Sequence, residues 1–184
     1  MKAQDVLDFW FGQPPSNWFR KNPAFDGEIR ERFGATIEAA LGGALRDWDE
    51  EGAGGTLARI LVLDQFTRNA WRGTPVSFSG DALALAAAAQ LVDSGADLRL
   101  TPQQRSFAYM PFEHAEDAAM QARAVSLFTR LAHEHEGFAD SLDFARRHSE
   151  VIARFGRFPH RNAILGRVST AQETAYLAEP GSGF

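Results

Sequence analysis

The chain has 184 residues, of which 45% are apolar and 23% charged, and its formal net charge is −5. This balance is typical of a globular protein and excludes an intrinsically disordered chain. The absence of cysteine excludes disulfides, thiolate metal ligands and cysteine nucleophiles. The longest apolar run, Ala82 to Ala89, is far shorter than the ~20 residues that cross a bilayer, and the first residues lack the layout of a secretory signal. We therefore expect a cytoplasmic protein with no membrane partner.

Composition predicts an all-α fold. Ala and Leu account for 46 residues, whereas Val, Ile and Thr together account for only 20, and helices favour the first pair while strands favour the second group. Thr170 with Glu173 has the spacing of a capping box that opens a helix. We predict seven or eight helices, at residues 3–11, 23–46, 55–71, 80–94, 102–109, 112–136, 139–155 and 171–178. The connections are too short for linkers and favour helical hairpins, so we predict one compact domain over residues 1–184.

A polar stripe interrupts the predicted helix at 55–71. Its members recur at i, i+3, i+4 and i+7, which is the spacing of a core-facing stripe: Gln65, Arg68, Asn69 and Arg72. Apolar side chains lie on the opposite side of the helix. The stripe therefore predicts a cavity wall or a polar network, with a solvent-exposed stripe as the alternative.

A second polar group follows Pro111, where the preference of the preceding residue for extended backbone predicts a helix boundary. In the predicted helix at 112–136, His114, Asp117 and Gln121 share one face and Glu113 lies beside them. The dipole of a helix start favours acids and disfavours a charged histidine. A neutral His114 flanked by carboxylates is a candidate general base or metal ligand. The alternative is an N-terminal turn that carries acids for dipole reasons alone.

The segment 146–167 is the most basic part of the chain, with six arginines and one acid. Such clusters bind anions or pair with acids elsewhere in the fold. Gly156 is a plausible helix C-cap, and Pro159 prevents immediate continuation of the helix. The functional candidates on this segment are Arg157, His160, Arg161 and Asn162. His148 lies in an apolar stripe, which is typical of a hydrogen-bonded core histidine.

Other ligand classes find little support in the sequence. The pI of about 5.5 and a total of two lysines argue against nucleic acid. No glycine-rich nucleotide loop, nucleophile elbow or metalloprotease histidine pair is present. We therefore predict no nucleic-acid partner and no metal site, and no cofactor is indicated.

Three separated motifs resemble a known bacterial family, domain-of-unknown-function family 924. They are Leu63-Asp64-Gln65-Phe66-Thr67-Arg68-Asn69-Ala70-Trp71-Arg72-Gly73-Thr74, Tyr109-Met110-Pro111-Phe112-Glu113-His114-Ala115-Glu116-Asp117 and Phe155-Gly156-Arg157-Phe158-Pro159-His160-Arg161-Asn162. The resemblance covers nearly the whole chain and implies a tetratricopeptide-like helical fold. It implies no established activity. Its characteristic positions fall on Gln65, Asn69, Arg72, His114, His160, Arg161 and Asn162.

These observations leave three functional hypotheses. In the first, a pocket binds a small phosphate- or carboxylate-bearing molecule, with arginines as anion ligands and Gln65, Asn69 and Asn162 setting its orientation; in a hydrolase-type enzyme, His114 or His160 would transfer the proton. In the second, the chain is a tetratricopeptide-like module that binds a peptide or protein partner without catalysis. In the third, the polar motifs form a buried structural network. The sequence does not indicate the oligomeric state.

Overall fold

The protein is all-helical. In a computed structural model, which describes residues 1–182, these residues contain no β-strand and ten α-helices. The helices are α1 Ala3–Phe11, α2 Ser16–Phe19, α3 Pro23–Leu41, α4 Ala53–Leu61, α5 Thr67–Ala70, α6 Asp81–Asp93, α7 Pro102–His114, α8 Ala118–Glu134, α9 Ala139–Phe155 and α10 Ala171–Leu177. The predicted all-α class is confirmed.

The helix count is higher than predicted, because short elements fill stretches assigned to loops or to longer helices. Helix α2 lies between the helices predicted at 3–11 and 23–46, where no helix was predicted, and the helix predicted at 23–46 ends at Leu41, before a separate 3-10 turn, Arg46–Glu51. Local signals worked better elsewhere: α1 and α9 have the predicted bounds, and the capping box of Thr170 and Glu173 is present. The tetratricopeptide-like hairpin arrangement stays a prediction.

Residue contacts group the chain into two compact units, so one domain over 1–184 stays a prediction. Residues 183 and 184 of that predicted domain lie outside the described residues. The first unit comprises Met1–Arg72 and Val76–Pro111; the second comprises Gly73–Pro75 and the chain from Phe112 onward.

The core of the first unit is aromatic. Phe33 packs against Phe9 and Phe66 with ring centroids 4.8 Å apart in both cases, and Trp10 contacts Phe66 at 5.5 Å and Phe107 at 5.6 Å. Large aromatic side chains bury much apolar area each, and tilted or edge contacts suit their quadrupoles. This core encloses the helical segment that carries the polar stripe.

Two glycines allow close packing around that segment. A Cβ at Gly55 would lie 1.8 Å from the carbonyl oxygen of Trp48, and one at Gly80 would lie 2.1 Å from that of Leu63. Any other residue would collide with backbone at these points. Gly80 therefore lets the start of α6 pack directly on the segment that bears the stripe.

Helix α6 is rich in alanine and leucine. Pro75–Asp93 passes a length and composition criterion for crossing a membrane, but this is weak evidence because core helices pass it too. The α-helical part has 13 residues, about 20 Å at 1.5 Å per residue, against a hydrocarbon core of ~30 Å. Its buried side recurs at helical spacing, with Ala84, Ala87, Ala88 and Leu91, and packs on α4. These facts favour a packed core helix.

The second unit is built around α8 and α9, which pack along their lengths. Buried positions of α8 recur at Ala124, Leu127, Phe128 and Leu131. A cluster of Val151, Ile152 and Phe158 closes the end of α9, with Phe155 and Tyr176 packed against it. Phe158 thus stands in the core immediately before the predicted His160-Arg161-Asn162 segment.

The predicted helix boundary at Pro111 is wrong. Helix α7 continues through Pro111 to His114, and α8 begins only at Ala118. A proline inside a helix costs about 3 kcal/mol, whereas fully burying each large side chain contributes roughly 1.5–3 kcal/mol. Phe107, Tyr109 and Phe112 are all buried, so burial outweighs the proline. Consequently Glu113 and His114 lie at a helix end, whose dipole favours positive charge, and they share no helix with Asp117 or Gln121.

Candidate functional site

The polar stripe lies on a distorted helix. Between α4 and α5, residues Val62–Phe66 form a π-helix, so the stripe does not follow the regular 3.6-residue period assumed from sequence. Single π-turns are frequent at functional sites. Here the turn places Asp64 at 0% exposure, beside the stripe residues Gln65 and Arg68. A fully buried carboxylate requires a partner.

Arg68 is that partner. Its guanidinium lies 3.0 Å from an oxygen of Asp64 and 2.9 Å from one of Asp81, and it also donates to the Asp64 carbonyl at 2.7 Å. Burial acts to lower the pKa of Arg68, but the charges of Asp64 and Asp81 outweigh it and raise that pKa. Arg68 is therefore engaged by two carboxylates of its own protein.

Asn69 and Arg72 converge on one acid of α3. Asn69 Nδ2 donates to Asp26 at 2.8 Å, and Arg72 forms a bidentate pair with the same carboxylate at 2.8 and 3.0 Å. Gln65 donates to Asp64 at 2.6 Å and to Met110 Sδ at 3.4 Å. All four stripe residues thus have partners within the first unit, as the structural-network hypothesis expects. Their ligand-binding role stays a prediction.

In the second unit, three imidazoles gather around Phe158. We call His114, His148 and His160, together with Arg161, the histidine cluster. The ring centroids of His114 and His148 are 6.3 Å apart, and Phe158 lies 5.5 Å from both His148 and His160. These residues come from α7, α9 and a 3-10 turn at Pro159–Arg161. The structure therefore brings together the two predicted catalytic histidines and one histidine that we had assigned to the core.

Arg161 completes the cluster. Its guanidinium stacks 4.7 Å from the Phe158 ring centroid, and its Nη2 donates to the His114 carbonyl at 2.9 Å. That carbonyl belongs to the last residue of α7, where unsatisfied carbonyls and the dipole attract cations. Arg161 is buried, so the positive charge is held in a protein environment with weak solvent screening.

The surroundings of His160 lower its pKa. Burial, followed by the charges of Arg161, His148 and His114, lowers the pKa of His160 from 6.5 to about 4, and Glu116 alone opposes them. His160 is therefore neutral at pH 7. Burial is the largest of these causes.

His148 is held by a carboxylate. Its Nδ1 lies 3.0 Å from Glu113 Oε1 and 2.8 Å from the Phe144 carbonyl. Both members of the pair are buried, with 5% exposure for His148 and 7% for Glu113. The sequence could not indicate this pair, because α7 and α9 are distant in the chain and only packing brings them together.

Glu116 fastens the segment that carries His160 and Arg161. It accepts hydrogen bonds from the Phe158 amide at 2.7 Å and from Arg167 at 2.6 and 2.9 Å. Burial alone would raise the pKa of Glu116, but these bonds and the nearby arginines lower it. Arg167 also donates to Asn162 at 2.9 Å, and Asn162 donates to Ser169 at 3.0 Å. Asn162 is thus a positioning residue for the turn in this structure.

Arg157 forms a structural pair rather than facing the histidine cluster. It binds Glu173 bidentately at 2.6 and 2.8 Å and also donates to the Val168 carbonyl. Arg157 and the Thr170 amide lower the pKa of Glu173 to about 2. The predicted C-cap at Gly156 is present, with φ of 70°. This pair ties the start of α10 to the end of α9.

The two remaining predicted ligand residues stabilise the turn between α7 and α8. Asp117 is the exposed N-cap of α8 and accepts from the Met120 amide at 2.9 Å. Gln121 is 1% exposed, and its Nε2 donates to the Glu113 and Ala115 carbonyls at 2.6 and 2.8 Å. Asp117 therefore stabilises the start of α8, and Gln121 holds the end of α7 in place.

Two further observations bear on ligand class. Among residues 1–182, no group of three or more His, Asp or Glu side chains is arranged to hold a metal ion. A groove of about 270 Å³ lies between α9 and the end of the described chain, lined by Arg147, Glu150, Val151, Arg154, Phe155, Tyr176 and Gly181. This volume lies just below the ~300–1,000 Å³ typical of small-molecule pockets.

The chain belongs to a bacterial family of unknown function. The family described as "Bacterial protein of unknown function (DUF924)" matches residues 6–181, which confirms the resemblance carried by the three motifs. A solved structure of a protein of unknown function, ATU0120 from Agrobacterium tumefaciens, is 41% identical, with a TM-score of 0.87 over 96% of each chain. No curated protein matches.

Proposed function

We propose that this protein binds a small phosphate- or carboxylate-bearing molecule at the histidine cluster. One observation carries the proposal: the fold places the buried guanidinium of Arg161 beside a group of imidazoles, 4.7 Å from the Phe158 ring centroid and with Nη2 2.9 Å from the His114 carbonyl, so a fixed positive charge lies among groups that can donate hydrogen bonds. A preorganised positive region with weak solvent screening attracts anions. The guanidinium of Arg161 supplies the planar donors that suit carboxylate and phosphate groups.

The proposal uses fewer residues than the sequence suggested. Arg68, Arg72 and Arg157 each pair with carboxylates, so an anion would have to displace a strong internal partner to bind them. The proposal is limited to His114, His160 and Arg161, which the fold brings together where Arg161 donates to the His114 carbonyl. In a hydrolase-type reaction a histidine would transfer the proton, and a pKa of about 4 makes His160 a weak base at pH 7. His114 is the better of the two predicted candidates.

The test is calorimetric titration with inorganic phosphate and with acetate at pH 7. Losing a charge-assisted hydrogen bond costs about 1.5–3 kcal/mol, so Arg161→Gln should weaken phosphate binding about 10- to 100-fold. The matched control is Arg146→Gln, which removes an exposed arginine from the same basic segment and should leave the Kd within about twofold. Far-UV circular dichroism verifies that each variant is folded. Equal losses in both variants, or no saturable heat with either anion, would refute the proposal.

The groove beside α9 supports a second candidate function, binding of an acidic peptide partner. Arg154 lies 4.7 Å from the Phe155 ring centroid and 5.7 Å from that of Tyr176, which combines a cation with aromatic surface. Interfaces are enriched in arginine and aromatic residues. If this surface is the functional one, a fluorescein-labelled poly-glutamate peptide should bind with an affinity that Arg154→Gln reduces and Arg161→Gln does not. The cytoplasmic location stays a prediction under both candidates.

A further inference from the structure

We infer that His148, held by Glu113, is the proton acceptor of the histidine cluster, with Nε2 as the accepting atom. The inference rests on the proposed function, because a proton acceptor needs a bound molecule or water that supplies the proton. It assigns the role to a histidine that the sequence placed in the core, in preference to His114 and His160.

The tautomer of His148 follows from its neighbours. Nδ1 is in hydrogen-bonding distance of the Phe144 carbonyl at 2.8 Å and of Glu113 Oε1 at 3.0 Å. A carbonyl oxygen and a carboxylate accept hydrogen bonds and cannot donate them. Nδ1 therefore carries the hydrogen, and in the neutral ring the basic lone pair is on Nε2.

A structural role for His148 does not require the Glu113 carboxylate, because Nδ1 has another acceptor. The Phe144 carbonyl, one turn earlier on α9, already satisfies Nδ1. Burying a carboxylate costs several kcal/mol unless its charge is compensated. A carboxylate behind an imidazole orients the ring and stabilises the imidazolium that forms when the ring accepts a proton. Glu113 is thus a positioning residue that acts through His148.

The position of the ring agrees with this role. The His148 ring centroid lies 6.3 Å from that of His114, at a tilt of 57°, and 5.5 Å from that of Phe158, nearly perpendicular to it, so the ring belongs to the histidine cluster. In the proposed step, an O–H bond of the bound molecule breaks and its proton forms an N–H bond at Nε2. The electron pair of the broken bond stays on the oxygen, and Glu113 balances the new charge on the ring. With phosphate as the probe, dihydrogen phosphate becomes hydrogen phosphate.

The first test needs no ligand. Long-range ¹H–¹⁵N correlation spectra of the full chain at pH 7 report which ring nitrogen of each histidine carries hydrogen. We expect His148 in the Nδ1–H form, with assignment by comparison with His148→Gln. A predominant Nε2–H form would overturn the inference and would leave the anion proposal standing.

The second test adds inorganic phosphate to the same sample. We expect the Nε2 resonance of His148 to move toward its protonated position as phosphate saturates, while the resonances of His133 and His135, outside the cluster, stay in place. Glu113→Gln preserves shape and a hydrogen-bond acceptor but removes the charge. It should abolish this protonation and, because protonation and phosphate binding are linked, weaken phosphate binding at pH 7 as well.

The outcomes separate the two proposals. Phosphate binding that depends on Arg161, with His148 Nε2 unprotonated at saturation, overturns only the inference. Absence of phosphate and acetate binding refutes the proposed function, and the inference falls with it, since an Nδ1–H tautomer alone then marks a structural histidine. Equal protonation in wild type and Glu113→Gln would overturn the role of Glu113.

Discussion

The polar stripe of the first unit and the histidine cluster of the second unit both hold arginine in protein surroundings, but with different contacts. In the stripe, Arg68 is matched by Asp64 and Asp81, and Arg72 by Asp26. In the cluster, the guanidinium of Arg161 lies over the Phe158 ring and donates to the His114 carbonyl, while Glu113 pairs with His148. The difference shows that arginines on an apolar-flanked face do not by themselves identify an anion site. The contacts of each arginine in the folded chain have to be known as well.

The largest expected effect tests whether the stripe is structural. Arg68→Ala removes the guanidinium from fully buried Asp64, and breaking a buried pair costs about 3–5 kcal/mol. At about 2–4 °C per kcal/mol for a chain of this size, the melting temperature should fall by roughly 10 °C.

Arg72→Ala is the matched control for Arg68→Ala. The Arg72 side chain is 39% exposed, and solvent screens its pair with Asp26, so we expect a loss of about 1 kcal/mol. Thermal unfolding followed by circular dichroism measures both. A melting temperature unchanged in Arg68→Ala would remove the distinction between the stripe and the cluster.

The second prediction tests whether the surroundings of His160 disfavour its protonated form. The pKa of His160 is about 4 in the folded protein and 6.5 ordinarily, so between these values the unfolded chain binds a proton that the folded chain does not. Stability therefore falls as pH falls from about 6.5 to 4, by about 3 kcal/mol in total at 1.36 kcal/mol per pKa unit.

His160→Gln should lack this part of the pH dependence. Urea unfolding at pH 7 and at pH 4 measures the difference, and comparison with wild type cancels the contributions of Glu116 and other acids. Wild type should lose about 3 kcal/mol more than the variant. Equal losses would mean that folding does not lower the pKa of His160.

The third prediction concerns Glu116, which holds the segment that carries His160 and Arg161. Glu116→Gln keeps one acceptor for the Phe158 amide but loses the charged pair with Arg167. Hydrogen bonds to charged groups contribute about 1.5–3 kcal/mol, so we expect a loss of about 2 kcal/mol at pH 7. Because the pKa of Glu116 is lowered in the folded protein, this difference should shrink as pH falls below about 4.5. A difference that persists in acid would indicate lost packing instead.

Local signals explain what could be predicted from the sequence. Gly12 and Gly156 terminate α1 and α9 at the predicted residues, because the end of a helix is set mainly by residues close to it in the sequence. The π-helix and the continuation of α7 through Pro111 depend on tertiary burial, which overrides local preference. The family motifs identified His114, His160 and Arg161, but their partners Phe158 and Glu116 become apparent only in the folded chain.

Asp117 gives the smallest expected effect and separates a capping role from a ligand role. As N-cap of α8 it accepts from the Met120 amide, and its replacement by alanine should cost about 1 kcal/mol, or about 2–4 °C. Asp117→Asn keeps the capping oxygen and should retain nearly full stability, although the charge is lost.

An anion site would respond differently, because removing a negative charge near it should favour phosphate binding in both variants alike. We therefore expect stability to distinguish Ala from Asn at this position and phosphate titration not to distinguish them. If the two variants differ in phosphate affinity and have equal melting temperatures, Asp117 binds the ligand. The first turn of α8 would then belong to the binding site.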